Sequence, residues 1–376
     1  MADGEHAPIT LIPGTTRPVG AGVSAEGLLL DCWYLARPSA EVKPGTQARV
    51  MIAGEPVLVG RTADGAPFAL KDVCPHRGVP LSAGRQMPAP DGSPSVQCPY
   101  HGWQFGTGDG VCKLMPSLVE GQAMDASRVR VRRYPVAEKH GLLFVYIAAD
   151  ARFDGEPPPP PEFGLRAGKP RFVVSRVFEA HMDNAVVGLM DPAHVPFVHT
   201  QWWWRPPSTG LRPKEKQFEP RGRGWAIARH APSGNSLAYR LLFGQDVTTE
   251  IVFELPGYRW EVVENGQAQF FTLTCLTPID GRSTLITQAS YWTGAPLLDL
   301  IKPFLIPGAR EFLDQDGRFV DLQNQGLPYM RSMLWIDDID VQAKWYHALK
   351  KEWAASRAED RAFVNPVKPA TLRWRS

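Results

Sequence analysis

Two stretches of the sequence decide the fold: Cys74-Pro75-His76-Arg77-Gly78 and, after a gap of 21 residues from His76, Cys98-Pro99-Tyr100-His101-Gly102-Trp103. Each stretch supplies one thiolate and one imidazole. A two-iron two-sulfur cluster with mixed ligands takes two Cys on one iron and two His on the other, so two such loops can hold it from both sides. Structural zinc also takes two Cys and two His, but it usually draws its cysteines from one loop and its histidines from another. The spacing therefore favours the cluster over zinc.

A second pair of histidines stands in Asp191-Pro192-Ala193-His194-Val195-Pro196-Phe197-Val198-His199. Residues five apart lie about 140° apart around an ideal helix, so an unbroken helix cannot direct His194 and His199 at one ion. We predict that a helix ends at Pro196 and that the following turn brings His199 back beside His194. Two imidazoles and one carboxylate are the ligand set of non-haem Fe(II) oxygenases. Taken alone, such a pair fits core or surface positions better than a metal site.

The three motifs together resemble those of the Rieske-type ring-hydroxylating oxygenases, which carry CxHRG, CxYHGW and DxxHxxxxH. The resemblance covers roughly residues 30 to 350. It implies that a [2Fe-2S] cluster is bound by Cys74, His76, Cys98 and His101. It also implies that His194 and His199 bind a mononuclear Fe(II) in a second domain.

The resemblance places the third iron ligand on a late helix, as a carboxylate. The candidates are Asp314, Asp316, Asp321, Asp337, Asp338 and Asp340. Residues 312–323 resemble the family's late segment, in which an acidic or amide residue precedes the ligand and a Gln follows seven positions later. This pattern selects Asp316, with Asp314 as the nearest rival. Asp337 and Asp338 have a competing role as helix N-caps.

The resemblance also gives Asp191 a role in catalysis. In the family this carboxylate joins a histidine of the iron site to a histidine of a neighbouring subunit's cluster, which here is His101. We expect Asp191 to share a helix face with His194, three positions later. The alternative is that Asp191 only caps a turn before Pro192. Val187 and Gly188 depart from the family, which often has an acidic residue and an Asn in this stretch.

Length and turn signals predict an α+β protein of two domains. The chain has 376 residues, of which 44% are hydrophobic. Short apolar segments predict an all-β domain over residues 30–150, and the prolines of 151–162 predict an extended linker. In the catalytic domain, residues 163–376, we expect an antiparallel meander that includes strands 225–230, 238–243, 248–255, 259–264, 267–277 and 283–292. Asn265-Gly266 and Asp280-Gly281 predict tight hairpins, and helices are expected over 308–325 and 337–358.

Charge and hydropathy exclude several classes of protein. The formal net charge is only +2, which argues against nucleic-acid binding by bulk charge. The longest apolar run, residues 142–149, is too short to span a membrane, and the N-terminal residues do not have the pattern of a secretory signal. These features predict a cytoplasmic protein. No strand leads into the Gly20-Ala21-Gly22 stretch, so we expect no dinucleotide site.

The resemblance implies the terminal oxygenase of a multicomponent system. Its architecture would be a Rieske β-domain and a helix-grip catalytic domain, in a homotrimer. A separate reductase or ferredoxin would supply electrons, and O2 would hydroxylate or oxidatively demethylate the substrate. The aromatic run Trp202-Trp203-Trp204 favours a hydrophobic, aromatic substrate. The alternative is a non-enzymatic electron carrier or structural zinc protein.

Overall fold

Ten strands form the first part of the chain in the computed structural model, which describes residues 22–119, 124–199, 210–231 and 246–376. They are β1 Cys32–Pro38, β2 Gln47–Ile52, β3 Glu55–Arg61, β4 Pro67–Lys71, β5 Arg85–Pro88, β6 Pro94–Gln97, β7 Gln104–Gly106, β8 Cys112–Leu114, β9 Val136–Lys139 and β10 Leu142–Ile147. Three sheets result, with strand orders β1-β10-β9, β2-β3-β4 and β5-β6-β7-β8. The predicted all-β character of this region is confirmed.

Eight described strands of the second part form one antiparallel sheet. They are β11 Phe172–Phe178, β12 Pro213–Arg221, β13 Gly224–His230, β14 Thr248–Glu254, β15 Tyr258–Glu264, β16 Gln269–Pro278, β17 Thr284–Thr293 and β18 Ala370–Arg375. Their order is β11-β17-β16-β15-β14-β13-β12-β18. Asn265 and Asp280 accept backbone N–H groups in the two predicted hairpins. The predicted strand 238–243 lies outside the described residues.

Four α-helices accompany this sheet in the described chain: α1 Met182–Met190, α2 Val195–Val198, α3 Pro296–Gly326 and α4 Val341–Ala358. Short 3-10 turns cover Ser39–Glu41, Leu81–Ala83, Ala126–Arg128 and Leu327–Tyr329. None of the described helices is long and apolar enough to cross a membrane. The α+β class predicted from the sequence is confirmed.

Both late helices differ from the sequence prediction at their starts. Helix α3 begins at Pro296 rather than at residue 308 and continues through Pro303 and Pro307. Interior prolines disfavour a helix there, but the N-terminal half packs Leu298, Ile301 and Leu305 against the sheet. Helix α4 begins at Val341, not at residue 337. Asp338 has a positive φ of 65°, so Asp337 and Asp338 lie before the helix rather than at its cap.

The large sheet is covered on both sides. The β1-β10-β9 sheet packs on one side, where Trp33 and Phe144 join Tyr258 and Phe271 in one apolar cluster. The Tyr258 hydroxyl also donates to the Trp33 carbonyl over 2.6 Å. Helices α1, α3 and α4 contribute to the core on the other side. Residues 151–162 form neither helix nor strand, and the domain boundaries predicted around them stay a prediction.

A buried ion pair joins α1 to α4. The Lys350 ammonium donates to both carboxylate oxygens of Asp183, each over 2.6 Å, and the Tyr346 hydroxyl donates to one of them over 2.8 Å. Asp183 is 2% exposed and Lys350 is 5% exposed. Since α1 leads directly into the His194 loop, this pair anchors the start of the segment that carries the predicted iron histidines.

We expect Lys350→Met to lower the free energy of unfolding by about 3–5 kcal/mol, because the Asp183 carboxylate would stay buried without its cation. Urea unfolding followed by circular dichroism measures this change. Lys351→Met is the matched control, since Lys351 is the exposed neighbour on the same helix. Equal stability of the two variants would contradict a structural role for the pair.

Candidate metal centres

The two Cys/His loops have the same backbone design. The N–H of Cys74 donates to the Val79 carbonyl over 2.9 Å, and the N–H of Cys98 donates to the Trp103 carbonyl over 2.8 Å. Each loop returns at a glycine with a φ of +73°, Gly78 or Gly102, a conformation that other residues adopt only under strain. The geometry that the two loops share explains why a glycine closes each motif.

The four side chains of these loops converge. Cys74 and Cys98 are each 2% exposed, and both are free thiols. The imidazole rings of His76 and His101 lie 4.5 Å apart between centroids. The buried Nδ1 of His76 has no hydrogen-bond partner among the described residues. Two buried thiols beside an unpartnered imidazole nitrogen fit a [2Fe-2S] cluster with mixed ligands.

Neighbouring groups change the pKa of Cys74 and pack against the two histidine rings. Burial raises the pKa of the Cys74 thiol to about 11, while the backbone N–H groups of His76 and Arg77 oppose that rise. The Trp103 ring stacks on His76 at 4.5 Å with an interplanar angle of 2°. The Tyr100 ring lies 3.9 Å from His101 and is 62% exposed. The histidine edge of the site therefore reaches the protein surface.

His194 and His199 are brought together because a helix ends earlier than the sequence predicts. Helix α1 ends at Met190, before Pro192, and Asp191 takes an extended conformation, which the residue before a proline prefers. Pro196 lies in the first turn of the short helix α2, where its missing N–H costs little. The prediction that a helix ends at Pro196 was wrong. His194 and His199 instead flank the two ends of α2.

Asp316, from the middle of α3, completes this second group. One atom each of His194, His199 and Asp316 lie within 4.8 Å of one another. The Asp316 Oδ1 is 3.6 Å from the Nε2 of His194 and 3.4 Å from the Nε2 of His199. The Nε2 of His199 is buried and has no hydrogen-bond partner among the described residues. Two imidazole nitrogens and a carboxylate oxygen around one point fit a divalent metal ion.

The protonation states of this group suit metal binding. Burial lowers the pKa values of His194 and His199 to about 4, so both rings are neutral at pH 7 and can bind a metal. Burial raises the pKa of Asp316 to about 7. A cation between the three side chains would offset that desolvation and favour the ionised carboxylate.

Gln315 orients His199 from the next position on α3. Its Oε1 lies 3.1 Å from the Nδ1 of His199, so the amide can accept the Nδ1–H proton and leave Nε2 with its lone pair. The Gln315 amide in turn donates to Glu311 over 3.0 Å. The Phe312 ring stacks on His199 at 3.7 Å. Neither neighbour has a role assigned from the sequence, although the amide directly before Asp316 is part of the pattern that selects this carboxylate.

The other candidate carboxylates are engaged elsewhere. The Arg176 guanidinium donates to Asp314 over 2.8 Å and to Asp321 over 3.3 Å. It crosses α3 at Gly317, where a Cβ atom would lie 2.2 Å from the Arg176 Nε. Asp337, Asp338 and Asp340 are outside the group formed with the two histidines. Of the six candidates, the structure brings only Asp316 to the histidines.

Asp191 lies next to His194 but not on a shared helix face, so the predicted face was wrong. Its Oδ2 is 3.8 Å from the Nδ1 of His194, which is beyond hydrogen-bond distance. Its Oδ1 accepts the Ala193 N–H over 2.7 Å. Burial raises the pKa of Asp191, and the Asp340 charge adds to the rise. Asp191 therefore caps the turn and also contacts His194. Trp202, Trp203 and Trp204 lie outside the described residues.

Two family models match the chain. Residues 32–135 match the Rieske [2Fe-2S] domain, and residues 178–351 match the vanillate O-demethylase oxygenase C-terminal domain. The first span contains all four cluster candidates, and the second contains His194, His199 and Asp316. The two matches follow each other along the chain in the order that the resemblance implied.

Curated relatives and solved structures agree with these matches. The chain is 33% identical over 193 residues to chlorophyllide a oxygenase of Chlamydomonas reinhardtii, covering 50% of this chain and 27% of that protein. It is 38% identical over 130 residues to the oxygenase subunit of 3-chlorobenzoate-3,4-dioxygenase of Comamonas testosteroni, covering 34% of this chain and 28% of that one. The chain thus spans between a quarter and a third of the length of these relatives.

The fold is that of solved oxygenases. Apo dicamba monooxygenase superposes with a TM-score of 0.65 at 19% identity, covering 89% of this chain and 99% of that one. The oxygenase in its reduced complex with ferredoxin from carbazole 1,9a-dioxygenase gives 0.63 at 20% identity, covering 92% and 93%. Because the two family models together match most of the chain in this order, the chain belongs to the Rieske-type ring-hydroxylating oxygenases.

Proposed function

We propose that this chain is the terminal oxygenase of a multicomponent system, in which O2 and externally supplied electrons hydroxylate or oxidatively demethylate a hydrophobic, aromatic substrate. The observation that carries the proposal is the convergence of His194, His199 and Asp316 around one point, in a chain that also carries the two Cys/His loops. A protein that only carried electrons would have no use for the second group.

The candidate ligands form two separate sites. Cys74, Cys98, His76 and His101 would hold the [2Fe-2S] cluster, and His194, His199 and Asp316 would hold a mononuclear Fe(II). When bound, these groups supply one-electron transfer and activation of dioxygen. A metal held by only three protein ligands would keep positions for O2 and substrate.

The surrounding side chains hold these ligands in position. The Gln315 Oε1 accepts a hydrogen bond from the Nδ1–H of His199 and so fixes the tautomer. Phe312 covers the face of the same ring and excludes water from it. Arg176 fixes the turn of α3 on either side of Asp316 by pairing with Asp314 and Asp321. The chain thereby presents a fixed set of two nitrogens and one oxygen.

The proposal includes an electron-donating partner and a homotrimer. Tyr100 and His101 are exposed at the edge of the cluster loops, which leaves His101 within reach of a second copy of the chain. The related carbazole oxygenase forms a complex with ferredoxin. In a head-to-tail trimer, the His101 edge of one copy would face the Asp191 region of the next.

Metal analysis and oxygen uptake test the proposal. The purified protein should be red-brown and contain about three irons per chain with acid-labile sulfide, since one cluster and one mononuclear site require that number. Phenolic methyl ethers, polycyclic arenes and steroids, tested with a donor reductase, should include compounds that stimulate O2 uptake. Stoichiometric zinc without sulfide would overturn the proposal.

We expect NADH alone to leave the cluster oxidised, because no dinucleotide fingerprint follows a strand in the sequence. Addition of NADH together with a flavin reductase, with or without a small ferredoxin, should reduce the cluster and bleach its visible absorption. The control is dithionite, which should reduce the same sample without any protein partner. Direct reduction by NADH would show that the electron supply is wrongly assigned.

Gln315→Met should weaken metal binding at the second site by about 10–100-fold, because the Nδ1–H of His199 would lose its acceptor. Titration of the iron-free site with Co2+, followed by visible absorption, measures the affinity directly. Gln315→Glu retains an acceptor oxygen and should bind at least as tightly as the wild type. Gln323→Met, an exposed change on the same helix, should leave the affinity unaltered; an equal loss there would contradict the assignment.

A further inference from the structure

Three residues on one face of α3 form a hydrogen-bonded chain that ends at a candidate iron ligand. Glu311, Gln315 and Arg318 follow one another at spacings of four and three positions, so their side chains lie side by side on the helix. The Oε1 of Glu311 accepts from the Gln315 amide over 3.0 Å and from the Arg318 guanidinium over 2.8 Å. The Gln315 Oε1 lies 3.1 Å from the Nδ1 of His199. The chain therefore joins His199 to a carboxylate through one amide.

This chain crosses from the core of the protein to its surface. His199 is 1% exposed and Gln315 is 2% exposed. The side chains of Glu311 and Arg318 are 48% and 58% exposed. Burying an amide costs free energy unless its polar atoms are hydrogen-bonded. Glu311 reaches inwards from the surface and accepts from one end of this buried amide, while the other end lies at His199.

Glu311 determines which end of the Gln315 amide faces His199. An ionised carboxylate only accepts hydrogen bonds, so it draws the NH2 end of the amide towards itself. The carbonyl end is then directed at the Nδ1 of His199. The Arg318 hydrogen bond and, after it, the Gln315 hydrogen bond lower the pKa of Glu311. The carboxylate is therefore ionised at neutral pH and holds the amide in this orientation.

The orientation of the amide decides which nitrogen of His199 can bind a metal. An imidazole that donates from Nδ1 keeps its lone pair on Nε2. The Nε2 is the nitrogen that lies 3.4 Å from the Oδ1 of Asp316. If the amide were reversed, its NH2 group would face Nδ1, and the neutral ring would carry its proton on Nε2. A protonated Nε2 cannot bind a metal.

We propose that Glu311 is a positioning residue of the second metal site, which holds the Gln315 amide so that the Nε2 of His199 stays available to the metal. The inference rests on the proposed oxygenase function and adds a residue to its iron site. Donation from the amide to a carboxylate also polarises the amide and strengthens its carbonyl as an acceptor. An exposed side chain thereby controls a buried ligand.

Cobalt binding to the full chain, with the cluster in place and the mononuclear iron removed, tests this proposal. Equilibrium dialysis against buffered Co2+, followed by metal analysis, measures the affinity of the second site. Glu311→Leu should weaken binding by about tenfold, at the lower end of the loss expected for a group that orients a metal ligand. Glu311→Gln retains an acceptor oxygen for the Gln315 amide, and it should keep most of the wild-type affinity.

A double-mutant cycle shows whether Glu311 acts through Gln315. The Gln315→Met variant has already lost the amide, so adding Glu311→Leu to it should cause no further loss of affinity. Independent effects would instead add. Additive losses in the double variant would overturn the proposal, and so would a wild-type affinity in Glu311→Leu.

Glu359→Leu is the matched control. It removes another exposed carboxylate that pairs with an arginine, Arg361, directly after α4, where the Glu359 side chain is 61% exposed. This variant should bind Co2+ as the wild type does. The melting temperatures of Glu311→Leu and Glu359→Leu should agree, because exposed ion pairs contribute little stability. A lower melting temperature in Glu311→Leu, without rescue of the affinity by Glu311→Gln, would overturn the proposal. The proposed function fails separately, only if the wild type lacks iron or O2 uptake.

Discussion

Cys98→Ala should abolish the visible colour of the protein and remove about two of its three irons, whereas His194→Ala should retain the colour and lose the third. The reason is geometric. Cys98 is a buried cysteine like Cys74, in the loop that also carries His101, whose ring lies 4.5 Å from that of His76. His194 belongs to a different group with its own carboxylate. Both variants should lose substrate-dependent O2 uptake.

Iron analysis, visible absorption and electron paramagnetic resonance of the reduced protein measure the two losses separately. Cys112→Ala is the matched control, since Cys112 is another buried cysteine of the same region and its thiol donates to the Leu114 carbonyl. It should keep colour and iron. Bleaching by His194→Ala would mean that the assignment of two separate sites is wrong.

The Cys/His loops could be predicted from the sequence because their chemistry is local. Each loop carries its ligands within five residues, and each is closed by a glycine whose positive φ the loop requires, Gly78 and Gly102. The hairpins at Asn265 and Asp280 were predictable for the same reason, since a side-chain oxygen accepts N–H groups two and three residues later.

The second site depends on tertiary contacts that leave no local signal. The sequence predicts that a helix ends at Pro196, but a proline is equally compatible with the first turn of a helix, and only the packing decides between the two. Arg176 reaches Asp314 and Asp321 from a strand about 140 residues earlier, so nothing near these carboxylates shows that they are occupied. The resemblance alone selected Asp316, and its selection agrees with the geometry.

Asp191 has two contacts that a single substitution can separate. Its Oδ1 accepts the Ala193 N–H and so caps the turn after α1. Its Oδ2 lies 3.8 Å from the Nδ1 of His194, and the side chain is 34% exposed, so a second imidazole could reach it from outside the chain. Asparagine keeps an oxygen for the cap but removes the negative charge. Asp191→Asn therefore tests the bridge without removing the cap.

Under the proposed trimer, Asp191→Asn should retain the colour and most of the iron yet oxidise substrate about 100-fold more slowly. The amide cannot accept an N–H from both His194 and the partner copy's imidazole, so neither ring stays fixed towards the other. Stopped-flow absorption of the reduced protein, mixed with O2 and substrate, measures how fast the cluster is reoxidised. Asp337→Asn, at an exposed carboxylate, should reoxidise at the wild-type rate. If Asp191→Asn did so as well, Asp191 would be a turn cap only, and electrons would reach the second site by another route.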